Sequence, residues 1–177
     1  MKKLSLLNRT ALALTCAALT FIADTAGAKD APPVSLKPIS ANAGTTSTLA
    51  PTADPTVFNA SATGVIQSQS LGTCVNNAQL EVRFPTAPGQ PVVLNGTATW
   101  TTISGASSLN VTLAGTATPD PANPGFYNAR YKVNITGGTG AYASAKGLAE
   151  IQEVVMFTSP TTATATWNMQ GILVLPH

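Results

Sequence analysis

The chain has 177 residues, with nine Lys and Arg, seven Asp and Glu, two Cys and one His. Set aside the first 28 residues, which hold Lys2, Lys3, Arg9 and Asp24, and six charges of each sign remain; no Lys/Arg cluster is left for a nucleic-acid partner. The same cut leaves Cys74 as the single cysteine and His177 as the single histidine, which excludes an intramolecular disulfide and leaves no ordinary metal site.

The first element is an export signal. Lys2, Lys3 and Arg9 precede an apolar run from Thr10 to Ala23, and Ala26-Gly27-Ala28 supplies small residues for cleavage. That layout predicts a secretory signal peptide over residues 1–28. The apolar run is shorter than the ~20 residues that span a bilayer, so no stable membrane span is expected after cleavage. The mature protein is expected in the periplasm or outside the cell. Residues 29–55 follow, rich in Ala, Pro, Thr and Ser. Pro32, Pro33, Pro38, Pro51 and Pro55 interrupt them, and apolar periodicity is absent. This composition predicts a disordered linker. Residues 56–177 then form the folded domain, which is large enough for a core without disulfides. Cys74 within it is either a buried apolar residue, a free thiol or a link between chains.

The domain repeats with a period of two. Weak strand signals lie near 63–70 and 79–84. Val92, Leu94, Gly96, Ala98 and Trp100 alternate with polar residues. So do Leu109, Val111 and Leu113, and then Tyr127, Ala129, Tyr131, Val133 and Ile135. Each run reads as a strand with one apolar and one polar face. Residues 147–157 carry helix formers, yet Ile151, Glu153, Val155 and Phe157 alternate with Gln152, Val154 and Met156, which predicts a strand. The last run, 165–175, ends apolar on both faces and so predicts burial on both sides there. Pro85–Pro91, Ser104-Gly105 and Pro119–Gly125 are turn segments. The fold class is all-β: an antiparallel meander of about eight strands closed into a barrel, with a β-sandwich as the alternative.

The glycine segment Ile135-Thr136-Gly137-Gly138-Thr139-Gly140-Ala141-Tyr142 contains G-x-G-x-x-A through Gly138, Gly140 and Ala143. A dinucleotide site needs a parallel βαβ unit, and the antiparallel run here leaves no room for one. A P-loop needs a Lys followed by Ser or Thr, and Lys146 is followed by Gly147. No cofactor is therefore expected. Tight-turn geometry accounts for the glycines.

Extended to Ala143, Ala145 and Gly147, the segment resembles the hairpin of the allene oxide cyclase and dirigent-like barrels, notably their secreted bacterial relatives. It departs from that pattern at Ala141, where arginine is common, and at Ser144, where glycine is common. The resemblance spans roughly residues 92–175. It implies an eight-stranded antiparallel barrel with a central cavity, often oligomeric and cofactor-free. Plant members guide cyclisation or radical coupling. Their catalytic residues fall on strands that do not align here, so none is assigned.

Chemistry in such a domain rests on few groups. Arg130, Tyr131, Glu150 and Trp100 are the candidate ligand-binding residues, with one carboxylate and Arg130 or Tyr131 facing the cavity. Burial would raise the pKa of such a carboxylate and suit it to acid–base work. Glu150 and Glu153 are an odd number apart and point to opposite faces of a strand. No G-x-S-x-G occurs. Three function classes follow: a module binding a small apolar ligand in a roomy cavity, a cofactor-free cyclase or isomerase, and an assembly subunit pairing through a sheet edge or the 29–55 arm, possible homo-oligomers included. An enzyme requires a buried carboxylate beside an arginine or tyrosine.

Overall fold

Alternating side chains build the whole domain. In the computed structural model, which describes residues 33–176, the strands are β1 Val34–Pro51, β2 Val57–Ser68, β3 Gly72–Arg83, β4 Val92–Thr102, β5 Ser108–Pro119, β6 Phe126–Thr139, β7 Lys146–Ser159 and β8 Thr162–Pro176. Each pairs antiparallel with the next. β8 returns to β1 over the register Val34↔Pro176 to Thr48↔Thr162, which closes the barrel. The expected meander and barrel hold, and the sandwich alternative is set aside. The expected signal peptide lies outside the described residues, as do residues 29–32.

The expected linker over 29–55 is corrected for Val34–Pro51, which form β1. This strand joins β2 on one side and β8 on the other. Its inward positions are Ile39, Ala41, Ala43, Thr45, Ser47 and Leu49. Most are small or polar, so the alternation is faint in sequence. Pro38 is tolerated for a positional reason. β2 ends at Ser68, opposite Ala41, so residues 34–40 have only β8 as a neighbour. A proline without an amide donor fits such a half-free stretch. The Ser68 hydroxyl donates to the Ser40 carbonyl at 2.7 Å and fastens the overhang.

The core is the barrel interior. At the end carrying the β2–β3, β4–β5 and β6–β7 connections, Ile39, Ile66, Cys74, Leu109, Ile135, Met169 and Leu173 are buried and fill the lumen. The glycine segment closes this end. A bulge displaces the β5–β6 register between Asn110 and Val111, and the Thr136 hydroxyl donates to the Asn110 carbonyl at 3.1 Å. Gly140 has φ +56° and opens a single 3-10 turn, Gly140–Tyr142. The Ala141 amide donates to Ser107 Oγ at 3.0 Å. Buried Ala145 then leads into β7. The segment is followed by an antiparallel strand, so its glycines serve a turn.

Cys74 belongs to this packed end. It is a free, buried thiol, and burial raises its pKa. Thiolate character and access govern cysteine reactivity. An aromatic disulfide reagent should therefore label the native protein far more slowly than the denatured chain. Equal rates would place Cys74 at the surface.

The outer face is mainly Thr, Asn, Gln, Ser and charged residues, the reverse of a lipid-facing barrel. Among the described residues, no helix is long and apolar enough to cross a membrane. Glu81 and Arg83 share the outer face as their spacing requires, and Arg83 pairs with Glu81 at 3.1 Å in solvent. The expected two-sided burial of the β8 end is corrected. Ile172 points outward and is exposed, beside exposed Leu148 on β7.

Candidate functional site

The other end of the barrel is built differently. It carries the connections at 52–56, 84–91, 120–125 and 160–161. Inward positions in this half are often alanine: Ala60 and Ala62 on β2, Ala117 on β5, Ala163 and Ala165 on β8. Small side chains on an eight-stranded wall leave lumen unfilled. The result is a cavity of about 80 Å³. Two edge-to-face aromatic pairs stand in this half, Phe58 with Phe84 and Tyr127 with Phe157, each at 5.5 Å between ring centroids. All four rings are only partly buried, so this end stays in touch with solvent.

One acid faces this cavity, Glu153 of β7. It shares the inward face with Ile151, Val155 and Phe157, as strand parity demands. Across the sheet it is opposite Ala129 and Trp167. Tyr131 of β6 is opposite Ile151, one diagonal step from Glu153, within reach of a long side chain. Tyr131 and Glu153 line the same two compartments, and each influences the other's titration. Gly115 of β5 lies opposite Tyr131, and a Cβ there would come within 2.9 Å of the Tyr131 ring. The missing side chain is the seat on which that ring lies.

Burial sets the electrostatics. Loss of water around Glu153 pushes its pKa up to about 7, against the opposing pull of the Tyr131 hydrogen bond. Burial also pushes Tyr131 well above its usual range, with the Glu153 charge and hydrogen bond adding to the effect. No Lys or Arg lines the cavity. Glu153 is half-buried rather than sealed, so it retains some contact with solvent.

A second, smaller compartment of about 40 Å³ lies beside the first and shares Ala62, Leu80, Tyr131 and Glu153 with it. Trp100, Trp167, Thr45 and Asn76 complete its wall together with apolar residues. The tryptophan rings lie 6.5 Å apart at a tilt of 32°. Thr45 and Asn76 are the buried polar residues of the interior, and each is opposite Gly64 on β2.

The four candidates from sequence separate. Tyr131 and Trp100 are buried and line the smaller compartment, and Tyr131 also lines the larger one. Arg130 and Glu150 are corrected: both are exposed on the outer wall. Parity is the reason. Arg130 alternates with Ala129 and Tyr131, and Glu150 with Ala149 and Ile151, all four of which face in. Sequence reasoning placed Glu153 on the apolar face yet did not select it, and it missed Thr45 and Asn76 altogether. A carboxylate among inward apolar residues was the available signal.

Wider depressions on the outer wall, such as one of about 850 Å³ over β1, β7 and β8, are bordered by Ser40, Gln152 and Gln170 and are open surface. Among the described residues, no group of three or more His, Cys, Asp or Glu could hold a metal ion.

No family model matches the chain, and no curated protein matches it. Among solved structures, the chain is similar to the pterocarpan synthase dirigent protein GePTS1, at 11% identity over 83% of this chain and 88% of that one, with a TM-score of 0.43. A likeness at that level carries no argument about activity.

Proposed function

We propose that this protein is an exported module that binds a small, largely apolar molecule inside its barrel, at the end bearing the aromatic pairs. The supporting observation is the Glu153–Tyr131 pair facing an otherwise mostly apolar cavity. Such pockets orient a ligand through few polar groups. An interior acceptor without a cation favours a ligand that donates a hydrogen bond. The expected roomy cavity is corrected to a small one. Drug-sized ligands occupy roughly 300–1,000 Å³, and an apolar cavity of about 150 Å³ takes benzene. At about 80 Å³, the space suits one compact group, and the remainder of any larger ligand lies among Phe84, Tyr127 and Phe157.

Cyclopentanol, a single small ring with one hydroxyl, tests this reading. Saturation-transfer NMR should show contact with the wild-type protein. Ala117→Phe, which fills the cavity, should abolish that contact while the far-ultraviolet spectrum stays that of a β protein. Absence of contact in the wild type, or equal contact in the filled variant, counts against the reading. Ala163→Phe fills the same space from β8 and serves if Ala117→Phe does not fold.

A second reading is a cofactor-free isomerase or cyclase. The observation favouring it is a carboxylate poised near neutrality beside a tyrosine in a shielded site. Assembly by edge pairing loses its main ground, because Val34–Pro51 pairs within its own barrel.

A further inference from the structure

The smaller compartment gathers hydrogen-bonding groups that simple packing does not require. Asn76 is 4% exposed and Thr45 is 7% exposed, and both line it together with Tyr131 and Glu153. Burying an amide and a hydroxyl costs free energy unless each finds a partner. Neither stands at a turn or cap, where local structure would use it: Asn76 is in mid β3 and Thr45 in mid β1. Both line the compartment from inward strand positions. The Asn76 amide offers two N–H donors and the Thr45 hydroxyl one. Glu153, four strands around the barrel from Asn76 and two from Thr45, is an acceptor and a base. Trp100 and Trp167 supply flat apolar surface between them.

Donors on one side and a base on the other are complementary to a carbonyl compound. Its oxygen accepts from Asn76 and Thr45, and the C–H bond next to the carbonyl faces the carboxylate. Preorganised donors aimed at a developing oxyanion are a large source of catalysis. We propose that this compartment, together with the adjoining cavity, takes a small ketone or aldehyde and exchanges the proton α to its carbonyl, with Glu153 as the base and Asn76 and Thr45 as the oxyanion donors. The proposal rests on the barrel interior being the ligand site.

The step balances without a cofactor. The Glu153 carboxylate takes the α-proton. The C–H electron pair forms a carbon–carbon double bond, and the carbonyl π pair moves to oxygen as an enolate. The protonated Glu153, in contact with solvent, exchanges its proton with water and then delivers a solvent proton to carbon, which restores the carbonyl and the base. No electrons leave the system. Tyr131 lies one diagonal step from Glu153 on the same inward face, so it serves as a positioning residue for the base. No Lys or Arg lines either compartment; Tyr131 and Tyr127 are the other titratable groups there.

Cyclopentanone and butanone are the probes. In heavy water, NMR should show wild-type protein replacing their α-protons with deuterium about a hundredfold or more faster than acetate buffer of equal molarity, the usual scale of a positioned base. The rate should rise through about pH 7, where Glu153 ionises. Glu153→Gln should return exchange to the buffer rate. Asn76→Leu should lower it at least about tenfold, and Thr45→Val serves where Asn76→Leu does not fold. Glu150→Gln, on the outer wall, should leave the rate unchanged. Saturation transfer to the same ketones is recorded in parallel. Contact without catalysed exchange overturns this proposal and leaves the binding reading intact. Absence of both overturns this proposal, and it overturns the binding reading as well when cyclopentanol also makes no contact; exchange that survives Glu153→Gln overturns the assignment of the base.

Discussion

Glu153→Gln should stabilise the protein at about pH 8 and leave its stability close to that of wild type at about pH 4. The argument is one of linkage. The unfolded chain releases the Glu153 proton near the ordinary value of 4.5, whereas the folded chain holds it up to about 7. Between those values the folded state binds more protons than the unfolded state, so stability falls as pH rises. Above about pH 7 the penalty is complete and constant, and below the ordinary value it is absent. At about 1.4 kcal/mol per unit, the gap sets a ceiling of about 3 kcal/mol. The carboxylate keeps some contact with solvent, which reduces this to about 1–2 kcal/mol. Glutamine cannot ionise and escapes the penalty. Urea midpoints of both proteins at about pH 4 and 8 measure it. A wild-type midpoint that does not fall relative to the variant on raising the pH would show Glu153 to be solvated like a surface acid.

The second large effect is expected at Trp100. This side chain is 2% exposed, lies opposite Asn76 on β3 and Leu109 on β5, and tilts against Trp167 across the lumen. Trp100→Ala removes an indole from a site that strands fix on both sides. Backbone collapse cannot refill it without breaking the ladders. Large-to-small changes of this kind cost about 3–5 kcal/mol. At about 2–4 °C per kcal/mol for a chain of this size, the midpoint should fall by roughly 10 °C or more. The same change joins extra space to the smaller compartment, so larger ring compounds should raise the variant's melting temperature and leave that of the wild type unmoved. A loss below about 1 kcal/mol would mean the tryptophan is not part of the packed wall.

Alternation was legible where inward side chains are large. Val92, Leu94 and Trp100 mark β4, Tyr131, Val133 and Ile135 mark β6, and Trp167 and Met169 mark β8. β1 and the first half of β3 hid, because their inward residues include Ala41, Thr45, Ser47, Cys74, Asn76 and Ala78. A period of two cannot be seen when both faces are small or polar. The site followed the same rule. Tyr131 and Trp100 stand at apolar positions of their runs, and parity turns both inward. Arg130 and Glu150 stand at the polar positions of their runs, and both are outside. Glu153 was placed on the apolar face, where its cost of burial made it the informative carboxylate. The cavity was not legible, because it arises where alanines from distant strands meet.

The seam between β1 and β8 has a consequence for the order of events during synthesis. Val34 pairs with Pro176, the two ends of the described chain. Every other strand pair joins sequence neighbours, so the hairpins can form locally, and the seam alone must bring remote segments together. Contacts of that separation form late, because loop-closure entropy is met before they stabilise anything. Until β8 has been made, β1 lacks the partner that covers residues 34–40, and the lumen with Glu153 stays open along one side. A chain that completes its wall only with its last strand remains an open ribbon while it is being made, which is compatible with threading through a narrow channel before it folds.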